Sequence, residues 1–314
     1  MAAKVIAIAN QKGGVGKTTT AVNLAACVAS TGTRVLMIDM DPQANATSGL
    51  GLEKRSGASI YGVLLGQEDI NSVIQHTDYD NLDIIPSEVD LCGAEMELSK
   101  LDNHLARLRL AIEPIKAESR YELIIIDCGP SLNVLTLNVF SAADHLVVPL
   151  QCEYYALEGI SMITRVLNQI RDSNVNPDLD LLGVIMTMFD GRTRLSRQVV
   201  DEVRSHFEDR VFETNIPRTT RLAEAPSFGQ PIIYYDPYSA GAAAYEVLAQ
   251  ELLERLGLAE RPPEVDEIPP PPAFADFKAA RESVGEPVAG DEPPPPAPPA
   301  PAVDVVLPPS TPLL

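Results

Sequence analysis

An apolar run at 5–9 leads straight into Asn10-Gln-Lys-Gly-Gly-Val-Gly-Lys-Thr-Thr-Thr20, and a helical pattern follows over 17–30. Strand, glycine loop and helix in that order is the setting of a phosphate-binding loop. Gly13, Gly14 and Gly16 let the backbone curl so that successive N–H groups, those of Val15 and its neighbours, point at phosphate oxygens. The helix beginning near Lys17 adds the positive end of its dipole. Lys17 is placed to bridge the β- and γ-phosphates of a nucleotide, and the Thr18 hydroxyl, with Thr19 beside it, to meet Mg²⁺ and phosphate. The generic pattern G-x-x-x-x-G-K-[ST] is not met, because Gln11 stands where the first glycine belongs. A second lysine, Lys12, precedes the glycines instead.

Two further sites carry carboxylates at strand ends. The run 34–39 closes on Asp39-Met-Asp41-Pro-Gln-Ala-Asn45. Acids there orient Mg²⁺-bound water or a nucleophile, or else cap a helix or a turn, and spacing alone leaves both readings open. The run Leu123-Ile-Ile-Ile-Asp127 has the Walker B form, in which Asp127 holds Mg²⁺ through water. Following a phosphate loop by about 110 residues in an α/β chain, it is far more specific than an isolated match.

The elements that must position these groups alternate along the chain. Apolar, β-branched runs at 5–9, 34–39, 82–85, 123–127, 145–150, 181–188 and 211–216 read as strands. Helical patterns cover 17–30, 60–65, 101–117, 157–171, 194–207 and 240–256. The strand runs are continuously apolar, as in a parallel sheet buried on both faces. The expected fold is α/β: a doubly wound, mostly parallel sheet flanked by helices, with ligands bound beyond the carboxyl ends of the strands.

KGGVGKTT is a deviant phosphate loop, and with it the chain resembles the ParA/Soj/MinD group of dimeric ATPases, most of all the chromosome-partitioning ParA (Soj) branch. The resemblance covers about residues 3–256. It implies that Lys12 reaches across a dimer to the partner's nucleotide, coupling hydrolysis to dimerisation through charge delivered in trans. The stretch DxDPQxN is a second family signature. It implies that Asp41 positions the attacking water, that Asp39 supports the metal shell, and that Gln43 and Asn45 lie near the dimer interface. The family commonly has DxPPS after the third acid, whereas this chain has Asp127-Cys-Gly-Pro-Ser131, with Gly129 in place of a proline. Pro217 and its neighbours are expected to flank the adenine.

A basic island interrupts an acidic chain. The protein has 314 residues, 24 Lys+Arg against 44 Asp+Glu and a formal charge of −20. Residues 192–221 nevertheless hold seven arginines and five acids. Composition allows either a solvated helix face with local ion pairs or an anion-binding patch. The family has matching segments of the forms DxRTxL and IPRxxRLxEAPS, whose arginines bind DNA without sequence preference once ATP holds the dimer together. Carried over by position, Arg192 and Arg221 are the first expected contacts, with Arg218 and Arg194 secondary. Guanidinium–phosphate contacts of this kind fix a protein on DNA but read no sequence.

Other classes are disfavoured. No apolar run reaches the ~20 residues of a membrane helix, and no signal peptide fits, so a cytoplasmic protein is expected. Cys27, Cys92, Cys128 and Cys152 are scattered, with no C-x-x-C and no histidine at ligand spacing, which argues against zinc or a disulfide framework; the resemblance argues against an iron–sulfur cluster, because the iron–sulfur relatives of this fold carry their cysteines at other places. The four histidines fit no triad. Seventeen of the 27 prolines fall in 262–314, a segment with nine acids and two bases. The expected division is therefore an ATPase domain at 1–261 and a disordered, Pro-rich acidic tail at 262–314, either a solvated appendage or a segment that recruits partners.

The resemblance implies an ATP- and Mg²⁺-dependent dimerising switch on nucleoid DNA, stimulated by a ParB-like centromere-binding partner. A ParA-like positioner of protein cargo is the alternative. A MinD-like membrane regulator is disfavoured because its anchor is a basic amphipathic helix, whereas this C-terminal segment is acidic and proline-rich.

Overall fold

A computed structural model describes residues 2–153 and 156–259, the side chains of 156–163 excepted. The Pro-rich segment at 262–314 lies outside the described residues.

In chain order the elements are β1 (Lys4–Ile8), α1 (Lys17–Ser30), β2 (Val35–Met40), α2 (Asn45–Gly49), α3 (Ile60–Leu65), β3 (Gln75–His76), β4 (Leu82–Ile85), α4 (Ala94–Leu98), α5 (Arg107–Glu118), β5 (Leu123–Cys128) and α6 (Val134–Ala142). They continue with β6 (His145–Gln151), α7 (Ala156–Asp172), β7 (Asp180–Thr187), α8 (Arg194–Phe207), α9 (Thr220–Glu224), α10 (Ile232–Tyr235) and α11 (Ala240–Arg255). The strands form one sheet in the order β3-β4-β2-β5-β1-β6-β7. All neighbours run parallel except β3 and β4.

Every residue of β2 and β5 is buried, which explains why these runs lack polar alternation. Odd and even positions divide between two cores. Leu36, Ile38, Ile124 and Ile126 face one, shared with α3, α5 and α6. Val35, Met37, Leu123 and Ile125 face the other, under α1 and α11. Each fully buried branched side chain contributes about 1.5–3 kcal/mol by leaving water. The hydroxyls of Thr20 and Tyr245 meet at 3.3 Å, tying α1 to α11 within that second core.

The doubly wound parallel sheet is as expected, with one local correction. Residues 211–216 were expected to form a strand, but they make only isolated bridges, Val184 with Val211 and Phe189 with Pro217. The ladder fails because the Glu251 carboxylate on α11 accepts from the Glu213 and Thr214 N–H groups at 2.8 and 3.2 Å. Those donors are thereby withdrawn from strand pairing. The helix expected over 101–117 begins only at Arg107. Among the described residues no helix is long and apolar enough to cross a membrane.

Candidate functional site

The carboxyl ends of β1, β2, β5, β6 and β7 converge on the glycine loop. Asn10 is anchored first: its amide donates to the Pro149 carbonyl on β6 at 2.8 Å, and its side-chain oxygen accepts from the Lys12 N–H at 3.0 Å. Gly14 (φ +73°) and Gly16 (φ +88°) then take left-handed conformations, which side-chain-bearing residues adopt only at a cost. From β7 the Thr187 hydroxyl donates to the Val15 carbonyl at 2.8 Å, and a Cβ on Gly16 would stand 3.9 Å from the same threonine. Gly13 lies at the exposed crest of the loop. Gly16 caps α1 without a side chain, and no acid occupies the first turn. The opening N–H groups of α1 are thus offered to an external anion.

Lys17 is 7% exposed. Its ammonium donates to the Lys12 carbonyl at 3.2 Å. Burial lowers its pKa, and the charges of Asp127, Cys128 and Asp41 oppose that shift. Thr18 and Thr19 are half-buried beside it. Lys12 points the other way, to Glu153 at 3.2 Å.

The three acids meet through sheet register. Asp39 pairs with Asp127 across β2 and β5, and Asp127 with Ile8 across β5 and β1. Asp39 is fully buried and its oxygens are committed: Oδ2 accepts from the Thr47 N–H and hydroxyl, both at 2.8 Å, and Oδ1 from the Asp41 N–H at 3.1 Å. Its pKa is raised to about 6, by burial above all. Expected in a metal shell, Asp39 here shapes the loop that carries Asp41. Asp41 accepts from the Gln43 N–H at 2.9 Å. A Cβ on Gly129 would lie 3.6 Å from its carboxyl carbon, so this glycine packs directly against the acid. A cavity of about 310 Å³ opens beside Asp41, lined also by Gln43, Cys92, Glu95 and Asn133.

Asp127 differs from both. It is fully buried, and neither carboxylate oxygen makes a hydrogen bond of normal geometry, although the Thr18 hydroxyl lies close enough to act on it. Its pKa is raised well above the usual carboxylate range by burial and then by Asp39, with the Thr18 hydroxyl and Lys17 opposing. A buried acceptor left unpaired costs ~1–3 kcal/mol, more when charged. A hydrated cation is one group that would satisfy it. Among the described residues no cluster of three or more His, Cys, Asp or Glu fits a metal. Mg²⁺ keeps several waters and takes one or two carboxylates plus substrate phosphates, a need that one buried carboxylate beside a threonine hydroxyl fits.

The raised pKa values carry a sign. A carboxyl that holds its proton more tightly folded than unfolded gives full stability below about pH 4 and loses it as pH rises through the folded value. For Asp39 that value is about 6. Asp127→Asn is therefore expected to melt above the parent at pH 7.5 without nucleotide, the gap closing as pH is lowered. Scanning calorimetry at pH 7.5 and 5.5 checks it. A variant melting below the parent at both pH values would show that Asp127 is already satisfied in the free protein.

Two expected arginine segments are joined where Phe189 bridges Pro217 and the Arg218 N–H donates to the Phe189 carbonyl at 3.0 Å. Pro217 thus sits just past the end of β7, on the same side of the sheet as the glycine loop. Arg192, 90% exposed at its side chain, forks onto Asp190 at 2.9 and 2.8 Å, which holds that carboxyl down to about 2. Arg221 is held by Glu224 at 3.0 Å and Asp236 at 3.1 Å. Arg194 and Arg218 are exposed, and among the described residues neither is in an ion pair that offsets its charge. Arg210 pairs with Asp180 at 2.7 Å, and Arg204 donates to the Glu213 carbonyl at 2.9 Å, so both serve the fold.

Asn10, Thr47, Glu153 and Thr187 were not anticipated. Asn10 had a legible signal, a polar residue closing an apolar strand next to the loop. Thr187 contacts the loop from 172 positions away, and no local pattern marks it.

A family model described as an AAA domain matches residues 3–181. The sporulation initiation inhibitor protein Soj of Bacillus subtilis is 51% identical over 250 residues, covering 79% of this chain and 98% of that protein. The chromosome partitioning protein ParA of Myxococcus xanthus is 50% identical over 253 residues, covering 80% and 88%. Among solved structures, cobyrinic acid a,c-diamide synthase from Mycobacterium smegmatis with bound ADP and magnesium superposes with a TM-score of 0.70 at 37% identity, covering 81% and 96%.

Proposed function

The chain belongs to the ParA/Soj family of chromosome-partitioning ATPases, and from that premise we propose that it is an ATP-driven dimerising switch that carries DNA segregation. The observation that carries the reading is Asp127, buried behind Lys17 and Thr18 with neither oxygen in a hydrogen bond of normal geometry. ATP and Mg²⁺ fit these residues. The N–H groups of Gly13, Gly14, Val15, Gly16 and Thr19 and the Lys17 ammonium bind the phosphates. Thr18 and Asp127 would hold Mg²⁺. Bound there, Mg²⁺ would neutralise charge at the transferred phosphoryl.

Asp39 fixes the loop geometry through Thr47 and the Asp41 N–H. Asp41 then orients the attacking water in the cavity beside Gly129. Phosphoryl transfer needs positioning and charge neutralisation and no activated side-chain nucleophile. Lys12 supplies a cation to the partner's nucleotide, so turnover depends on dimerisation. Pro217 flanks the adenine. The ATPase is assigned to residues 1–261, with the Pro-rich segment outside it.

Arg192, Arg221, Arg218 and Arg194 form the DNA-facing set. Arg218 and Arg194 are available directly, whereas Arg192 and Arg221 must exchange carboxylates for phosphates. Exposed ion pairs are worth only ~0–1 kcal/mol each, so the exchange is cheap once a dimer presents two patches together. The protein is assigned to the cytoplasm and nucleoid, with a ParB-like partner stimulating hydrolysis.

Titration against DNA of arbitrary sequence with ATP, ADP or no nucleotide, over a salt series, tests this reading. ATP-dependent, salt-sensitive binding that falls about tenfold or more in Arg221→Ala is expected. Absence of DNA binding with every nucleotide would overturn the DNA assignment in favour of a protein-cargo or membrane role, while leaving the ATPase intact.

A further inference from the structure

The two lysines of the loop are both engaged within their own protomer. Lys17 is bonded to the Lys12 carbonyl, and the Lys12 ammonium lies 3.2 Å from Glu153 Oε2. Glu153 is itself oriented: its Oε1 accepts from the Gln151 side-chain amide at 2.6 Å, and its N–H donates to the Gln151 carbonyl at 2.7 Å. The Lys12 backbone is fixed from β6, through Asn10 to the Pro149 carbonyl. β6 thus fixes the main chain before Lys12, and Glu153, two residues past the end of β6, engages its side chain from 141 residues away.

We infer that Glu153 is a positioning residue that parks Lys12 on its own protomer until a dimer forms. The inference rests on the reading that Lys12 serves the partner's nucleotide. Lys12 cannot pair with Glu153 and with a phosphate across an interface at once without sharing its charge. Dimerisation therefore exchanges an intramolecular ion pair for an intermolecular one. The side chains are 42% and 48% exposed, so the parked pair is worth ~0.2–1 kcal/mol. That is a bias on the dimerisation equilibrium and not a lock, corresponding to about 1.5- to 5-fold per protomer. Gln151 acts through Glu153 by holding its carboxylate toward the loop.

The test uses the full chain with a non-hydrolysable ATP analogue and Mg²⁺. Dimer formation is followed by analytical ultracentrifugation, and nucleotide affinity is measured separately under dilution to monomer. Glu153→Ala and Glu153→Gln are expected to tighten dimerisation about 2- to 25-fold, since both protomers lose the pair, with monomer affinity for the analogue unchanged. In a Lys12→Ala background the same substitutions should have no effect on dimerisation, closing a double-mutant cycle. Unchanged or weakened dimerisation in both Glu153 variants overturns the inference, as does tightening that persists without Lys12. If Lys12→Ala alone dimerises and hydrolyses normally, it is the trans role of Lys12 that fails, a distinct outcome.

Discussion

Lys17→Ala is expected to lower ATP affinity at least about 100-fold while leaving the fold intact. Lys17 is 7% exposed and is the first residue of α1, where alanine is a good helix former. Its one hydrogen bond among the described residues is to a loop carbonyl, so the free protein loses little when it goes. The bound state loses much more. Charge-assisted contacts to phosphate contribute about 1.5–3 kcal/mol each, and two of them amount to roughly 100-fold or more in affinity. Removal also leaves Asp127 and Asp41 facing an incoming polyphosphate without the buried cation that offsets them. Titration with a fluorescent ATP analogue reads the loss, and circular dichroism verifies the fold. Retained affinity would undo the assignment of the loop.

Asp41→Ala is expected to bind ATP, accumulate as a dimer and hydrolyse about 10²- to 10⁴-fold more slowly, the range typical for loss of a group that handles the reacting proton or water. Asp41 also accepts the Gln43 N–H, so alanine removes a loop contact along with the charge. Asp41→Asn separates the two, keeping an acceptor oxygen and removing the charge. Phosphate release and sedimentation of both variants with ATP decide the matter. Slow turnover in both, with dimer retained, supports water positioning. Normal turnover in the asparagine variant would reduce Asp41 to a loop-shaping role.

Much of the scaffold was legible because its signals are local. Strands buried on both faces must be continuously apolar, so runs such as 123–127 announce themselves. The glycine loop is legible because left-handed φ at Gly14 and Gly16, a helix start and a lysine must all lie within a few residues. The segment 211–216 misled for a matching reason: it has strand composition, but the Glu251 carboxylate, from a helix 37 residues further on, takes two of its N–H groups. Local pattern measures propensity, and a distant competitor for the same donors decides pairing.

The sequence by itself determined where a glycine loop with two lysines stands, residues 12–19, and which acids stand at strand ends, because each feature is built from neighbours in the chain. Tertiary structure alone decided what each acid is bonded to. Register sets Asp39 and Asp127 side by side, yet Thr47 bonds only Asp39, and Asp127 is left without a hydrogen bond of normal geometry. It also decided which arginines are spent on Asp190, Glu224, Asp236 and Asp180, and that Lys12 rests on Glu153. Charge and hydrogen-bond capacity act over a few ångströms regardless of sequence separation, so their partners exist only once the sheet has brought distant strands together.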